Sequence, residues 1–233
     1  MKNNLRQYQV DSINDLRKAI LKGHKRIVLQ LATGGGKTTI AAEMIRKANE
    51  KGKRCIFLAD RIELVEQTSK RLDYEGIDHG IIMANHPRYK PHSSNQVCSP
   101  QTLARRPTPV ADVVIIDECH VAYGIHKKMM QAMPNAVFIG LSATPFTTGL
   151  GKLFTNLINA TTMHELTQSG VLVPMRIFSC HKPNMEGAET RGGEWTDKAA
   201  EERELKIVGD VVSDWFKFGE NRKTIIFGST IKH

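Results

Sequence analysis

The chain has 233 residues, 40% of them hydrophobic and 24% charged, which excludes a disordered or fibrous protein and allows one full core and the start of another. No apolar run approaches the ~20 residues that cross a bilayer, and Met1-Lys2-Asn3-Asn4 leads into a polar helix, not an apolar signal region, so no membrane partner and a cytoplasmic location are expected. The net charge of +9 is uneven: residues 1–175 hold 23 of the 33 basic and 14 of the 24 acidic residues, so the whole excess lies there and points to a polyanion.

Taken in chain order, Ile13, Leu16, Ile20 and Leu21 share a helix face that closes at Gly23. Ile27 to Ala32 is an apolar run and reads as a buried strand. Thr33-Gly34-Gly35-Gly36-Lys37-Thr38 follows it, and a helical pattern through Ile40, Ala41, Met44, Ile45 and Ala48 follows that. Strand, glycine loop and helix is the context of a phosphate-binding loop. Glycines lack Cβ, so the backbone can curl around an anion and present its N–H groups, and the helix adds its positive end. Lys37 is placed to reach nucleotide β- and γ-phosphates, and the Thr38 hydroxyl to sit on Mg²⁺. Leu31 stands where the full pattern has Gly or Ala. Arg46, Lys47, Lys51, Lys53 and Arg54 cluster at the end of this helix; complementing its dipole explains them as well as a ligand does.

Arg54 to Ala59 is a predicted strand, followed by a helix to about Glu75 with the stripe Leu64, Val65, Thr68 and Leu72. His79 to Met83 is a short strand. Ala84 to Asn95 is a polar loop, longer than the ~4–6 residues usual between elements. Its His86 and His92 have no third ligand nearby, so no metal site is expected. Val113-Val114-Ile115-Ile116 reads as a central parallel strand. Asp117-Glu118-Cys119-His120 stands at its C-terminal end, where open α/β sheets bind ligands. Asp117 is placed to hold Mg²⁺, and Glu118 to polarise the water that attacks a γ-phosphate. Ile125 to Met133 is a short helix, Ala136 to Leu141 a strand, and Leu153 to Leu166 a further helical segment.

Val171 to Pro174 closes a first domain, taken as residues 1–175. Residues 176–204 read as a linker, with 182–194 a flexible connection. Residues 205–233 read as the truncated start of a second domain, with a helical pattern from Glu201 to Phe218 and a strand from Thr224 to Phe227. The alternating order predicts an α/β fold, a mainly parallel sheet covered by helices on both faces. Cys55, Cys98, Cys119 and Cys180 are scattered singly, so neither a disulfide framework nor a zinc site is indicated.

With Ser142-Ala143-Thr144-Pro145 after the next strand, the chain resembles the superfamily 2 helicases and translocases. Leu5-Arg6-Gln7-Tyr8-Gln9 looks like the adenine-sensing motif, Leu31 to Thr39 like motif I, and Phe57 to Thr68 like motif Ia. Val97 to Leu103 looks like the next strand-contacting motif, Asp117 to His120 like a DECH form of motif II, Leu141 to Pro145 like motif III, and Lys223 to Ser229 like motif IV. The DECH form and the opening motif are most similar to DNA-repair helicases and to the ATP-driven subunits of type III restriction enzymes. The resemblance implies RecA-like motor domains, the first present and the second incomplete, using ATP and Mg²⁺ on DNA, with RNA left open and a monomer favoured. It implies that Arg6 and Gln9 recognise adenine, that Thr33, Gly34, Gly35, Gly36, Lys37 and Thr38 hold the phosphates, and that Asp117 and Glu118 act in hydrolysis. It implies that His120, Ser142 and Thr144 relay nucleotide state, and that Arg61, Ser99, Gln101 and Thr102 touch nucleic-acid backbone. Asp60 replaces the branch's usual His, and motifs V and VI do not follow motif IV. An isolated chain of this kind is expected to bind ATP and turn it over poorly. Another P-loop phosphotransferase, or a binding protein without significant turnover, are the alternatives.

Overall fold

The computed structural model describes residues 5–121, 124–177, 186–191, 194–196 and 208–225. The chain divides into two compact units, residues 1–173 and 174–233. In the first, fourteen elements follow one another: α1 (Gln7–Leu21), β1 (Arg26–Leu31), α2 (Lys37–Asn49), β2 (Cys55–Leu58), α3 (Ile62–Tyr74), β3 (Gly80–Ile82), β4 (Asn95–Cys98), α4 (Pro100–Leu103), β5 (Val113–Ile116), α5 (Gly124–Ala132), β6 (Val137–Ser142), α6 (Leu150–Leu153), β7 (Asn156–Thr161) and α7 (Met163–Gln168).

The seven strands form one sheet in the order β3-β4-β2-β5-β6-β1-β7, and every pair in it is parallel. This is the expected α/β fold. Its central strands β2, Cys-Ile-Phe-Leu, and β5, Val-Val-Ile-Ile, are unbroken apolar runs because both faces are covered. Successive residues alternate between two cores. Ile27, Leu29 and Leu31 of β1 join Phe57, Ile115 and Ile139 on one face, under Ile13 and Leu16 of α1, Ile40 and Ile45 of α2, and Val65 and Leu72 of α3. Val28, Ile56, Val114 and Phe138 point to the other face, under Leu103 of α4, Ile125 and Met129 of α5, and Leu150 of α6. Leu21 was expected on the α1 core face but is 85% exposed. It is the last residue of the helix, a turn position 100° past Ile20, and swings off the stripe.

One prediction fails here. The segment Leu153 to Leu166 is not one helix but the end of α6, the strand β7 and the start of α7. Thr162 is extended, with φ −94° and ψ 162°, and N-caps α7: its hydroxyl accepts from Glu165 N at 3.2 Å while the Glu165 carboxylate accepts from Thr162 N at 2.7 Å. That reciprocal box forces the preceding chain out of helical geometry. The freed Asn156–Thr161 pairs with β1 as an edge strand, and Leu157 remains 55% exposed because no neighbour covers it. Thr-x-x-Glu in the sequence was the available signal.

In the second unit, β8 (Thr190–Arg191) and β9 (Glu194–Trp195) pair antiparallel, and α8 spans Val208–Phe218. The expected flexible connection at 182–194 therefore contains a short hairpin. The helical pattern from Glu201 is met from Val208 onward, and residues 201–207 lie outside the described ones. Thr224 and Ile225 carry no strand, and the rest of that expected strand and of motif IV, from Ile226, lies outside the described residues, as does Cys180. Among the described residues, no helix is long and apolar enough to cross a membrane.

Candidate nucleotide site at the carboxyl edge of the sheet

Three neighbouring strands, β5, β6 and β1, end side by side. Their ends deliver Asp117 and Glu118, Ser142, and the glycine loop to one edge, so residues 24 to 109 positions apart in sequence become neighbours. The loop itself needs its glycines. Gly34 and Gly36 have φ of +80° and +86°, the left-handed region that a Cβ penalises. Gly36 is also the N-cap of α2, and no side chain caps that helix start. At Gly35 a Cβ would lie 2.9 Å from Ala32 O and from the Leu31 side chain. Leu31 thus fills the space under the loop.

Helix α1 grips the loop from the side. Tyr8 Oη donates to Gly35 O at 2.8 Å, and Gln9 Nε2 donates to the same oxygen at 3.1 Å. Gln9 is 5% exposed, and its other amide end accepts from Arg6 N at 3.0 Å. Both ends of the Gln9 amide therefore bond within the protein. The Arg6 guanidinium lies at the surface, 3.5 Å from Tyr8 Oη. Leu172 covers the loop at Gly34, where a Cβ would come within 2.7 Å of its Cδ2; nothing in the sequence marked that contact.

Lys37 and Glu118 meet directly, Nζ on Oε1. Glu118 has φ +46°, a strained conformation for a residue with a Cβ. Its N–H donates to Asp117 Oδ1 at 3.1 Å. Burial pushes the Asp117 carboxyl up, Lys37 pulls it down, and the Glu118 and Asp60 carboxylates push it up again. The second Glu118 oxygen is 3.3 Å from His120 Nδ1, and that nitrogen is 2.9 Å from Ser142 Oγ. Ser142, fully buried, accepts from Thr144 N at 3.1 Å. A carboxylate only accepts, so the shared contact is attractive with the proton on Nδ1. Lys37, Glu118, His120, Ser142 and Thr144 form one continuous chain of polar contacts. Thr33 and Thr38 flank the loop's glycines, Thr38 as the second residue of α2. Cys119 between these groups is buried, and burial raises its thiol to about 12. It packs on Gly140, where a Cβ would lie 2.6 Å from the sulfur, so it acts as a small apolar filler.

The expected nucleic-acid contacts separate into two kinds. Arg61, the exposed N-cap residue of α3, has no ion pair among the described residues. Gln101 is exposed, its amide donating to Asp60 O at 3.4 Å. Ser99 is 7% exposed and caps α4, accepting from Thr102 N at 3.3 Å and donating to Gln101 Oε1 at 2.8 Å. The Thr102 hydroxyl accepts from Ala84 N at 3.1 Å. These two hydroxyls bind the protein to itself. Of the basic loop residues, Arg88 forks onto Asp73 with two bonds of 2.6 Å and Lys90 reaches Asp78 at 3.2 Å. Arg106 lies over the Tyr89 ring, 5.3 Å from its centroid, a pair the sequence did not suggest. His86 bonds Glu66 at 2.9 Å, and among the described residues no three potential ligands gather around a metal position.

The all-parallel sheet, with a glycine loop after β1 and an acidic strand end on β5, is that of a superfamily 2 helicase-like motor domain. Residues 2–147 match the family described as Type III restriction enzyme, res subunit, and the chain belongs to that family. It is 25% identical to the type I restriction enzyme EcoAI endonuclease subunit of Escherichia coli, over 98% of this chain and 33% of that one. Its fold is similar to that of the UvsW helicase from bacteriophage T4, with a TM-score of 0.56 and 20% identity over 67% of this chain and 60% of that one. It is also similar to a nuclease-deletion mutant of the Type ISP restriction-modification enzyme LlaGI, solved in complex with a DNA substrate mimic, with a TM-score of 0.54 and 16% identity over 72% of this chain and 21% of that one. The chain thus spans about a third of the length of the EcoAI subunit.

Proposed function

We propose that this chain is the ATP-binding part of an ATP-dependent DNA translocase or helicase. The observation that carries the reading is the meeting of Lys37 with Glu118, which brings the phosphate loop and the acidic strand end to one point. In this reading Thr33 to Thr38 cradle the phosphates, Lys37 leaves Glu118 for the β- and γ-oxygens, and Glu118 then orients the attacking water. Magnesium fits the residues present. Asp117 is a half-buried carboxylate whose Oδ2 has no hydrogen bond among the described residues, and burial disfavours its charge until a cation arrives. Asp117 and Thr38 would hold the ion, which supplies positive charge beside the phosphates. Arg6, exposed beside Tyr8, would stack on adenine, while Gln9 acts by fixing the loop. DNA is the proposed strand, bound through its backbone by Arg61 and Gln101, with Ser99 and Thr102 shaping that edge from within.

Phosphate release measured with and without DNA tests the reading, on this chain and on a longer form of the protein. Nucleotide binding with hydrolysis that rises on adding DNA supports it. Transfer of phosphate to an acceptor other than water, indifferent to DNA, would point to a phosphotransferase instead.

A further inference from the structure

A cavity of about 280 Å³ lies at the edge of the sheet opposite the glycine loop. Its walls are Leu16 and Ile20 of α1, Met44 and Ala48 of α2, and Val113 and Val137, the first residues of β5 and β6. Parallel strands begin at one edge and end at the other, so this cavity and the phosphate loop face away from each other. Its rim carries Arg17, Lys47, Lys51 and Lys53 against one carboxylate, Glu50. Glu50 is held by Arg46, Lys47 reaches Glu43 at 3.4 Å, and Lys53 reaches Asp112 at 3.4 Å. Arg17 and Lys51 have no ion pair among the described residues.

The helix dipole accounts for lysines near the end of α2. It does not account for Arg17, which sits on α1 before that helix's last turn, nor for the apolar floor between the two helices. We infer that this pocket docks an acidic segment of a partner protein. One large apolar side chain seats between α1 and α2, and flanking Asp or Glu carboxylates bond Arg17 and Lys51. The volume falls at the lower bound of ligand cavities, ~300 Å³, which suits a single anchor side chain better than a cofactor. Nucleic acid fits less well. A phosphate backbone gains nothing from an apolar floor. A large side chain buried in a pocket is how compact protein contacts concentrate their affinity.

The test is a selection of random dodecapeptides displayed on phage against the whole chain, followed by anisotropy of the enriched peptides made synthetically. Enriched peptides should carry Leu, Ile, Met or Phe beside at least two acids. They should lose tenfold or more in affinity to the exposed-site variant R17E/K51E, and separately to Ala48→Trp, which fills the cavity. Both variants should melt as the parent does. Lys37→Ala should leave peptide binding unchanged, which separates this inference from the nucleotide reading. No enrichment, enriched peptides without acids, or affinities indifferent to R17E/K51E would overturn it. So would a loss of oligonucleotide binding in R17E/K51E with peptide binding intact, which would give the face to nucleic acid.

Discussion

Lys37 and Glu118 neutralise each other: the ammonium sits on one carboxylate oxygen while the other faces His120 Nδ1 at 3.3 Å. If Lys37 binds phosphate as proposed, nucleotide and Glu118 compete for one cation. Charge-assisted bonds of this kind contribute roughly 1.5–3 kcal/mol, so Lys37→Ala should weaken Mg²⁺-ATP binding about tenfold or more. Glu118→Gln removes the competitor's charge and should bind ATP at least as tightly as the parent while hydrolysing it far more slowly. Titration calorimetry on the three proteins checks both. Equal affinity of parent and Lys37→Ala would remove Lys37 from the site.

The loop's geometry gives a second prediction. Gly36 has φ +86°, and a Cβ there would lie 2.6 Å from Gln9 Nε2. The left-handed backbone alone costs an L-residue about 1–2 kcal/mol. Gly36→Ala should therefore lower the melting temperature and push Gln9 off Gly35. Gln9→Ala should be milder, since Tyr8 still holds the Gly35 carbonyl. The double variant should be less destabilised than the sum, because removing Gln9 relieves the contact. Additivity in thermal melts would mean that the two residues do not press on each other.

The parts of this site that were legible in the sequence are those whose residue type is dictated by local geometry. Gly34 and Gly36 are required by positive φ, and Val113 to Ile116 is apolar throughout because both faces are covered. The illegible parts depend on which group arrives from elsewhere. Nothing in Gln9's neighbourhood announces that its amide meets a carbonyl 26 residues away. Counting cations located the positive part of the chain, but not that Asp73 and Asp78 engage Arg88 and Lys90. Strand β7 escaped notice because an edge strand with one covered side need not be apolar, and only the Thr162–Glu165 box marked its end.

That distinction among cations predicts DNA behaviour. Binding should be independent of sequence and steeply weaker as salt rises, because phosphates provide the contacts. Arg61→Ala, not ion-paired among the described residues, should reduce the salt slope by about one. Arg88→Ala should leave the slope unchanged. Ser99→Ala should cost about 1 kcal/mol of stability through the lost cap without altering the slope. Anisotropy with two unrelated oligonucleotides across a salt series is the measurement. A flat salt response would remove backbone contacts from the account.

Acid should destabilise the first unit through its buried imidazoles. His126 is 3% exposed, and burial lowers it to about 4, against about 6.5 in an unfolded chain. Between those values the unfolded chain binds a proton that the folded one refuses, so stability rises with pH across that window. The loss begins below about pH 6.5, is complete near 4, and amounts to roughly 2–4 kcal/mol. His79, also buried and lowered by burial, acts in the same direction. Glu43 and Asp73, held below the usual carboxylate range chiefly by Arg46 and Arg88, lose their contributions only as pH falls through lower values. Urea midpoints at pH 7 and pH 5 therefore read the imidazoles against the raised Asp117 carboxyl, whose protonation acts in the opposite direction. His126→Leu should narrow the difference between the two, and an unchanged difference would mean His126 titrates normally.

The last prediction concerns the relay from Glu118 to Thr144. His120 Nδ1 stands 2.9 Å from Ser142 Oγ and 3.3 Å from Glu118 Oε2, and Ser142 in turn accepts from Thr144 N at 3.1 Å. Ser142 is fully buried at the end of β6, so its hydroxyl has no water to replace a lost partner. If nucleotide draws Lys37 away from Glu118, the freed carboxylate strengthens its pull on the Nδ1 proton, and the Ser142 contact must adjust. Coupling of this kind needs His120 and Ser142 together, not the phosphates. His120→Ala should thus bind ATP with affinity within about threefold of the parent, since it touches no proposed phosphate ligand. In a form of the protein long enough to hydrolyse ATP with DNA stimulation, it should lose the stimulation while keeping basal turnover. Ser142→Ala should do the same, and the double variant should be no worse than either single one, because both cut one path. His120→Asn, whose amide can still donate toward Ser142, should recover part of the stimulation. Stimulation that survives His120→Ala, or effects of the two substitutions that simply add, would place the coupling elsewhere.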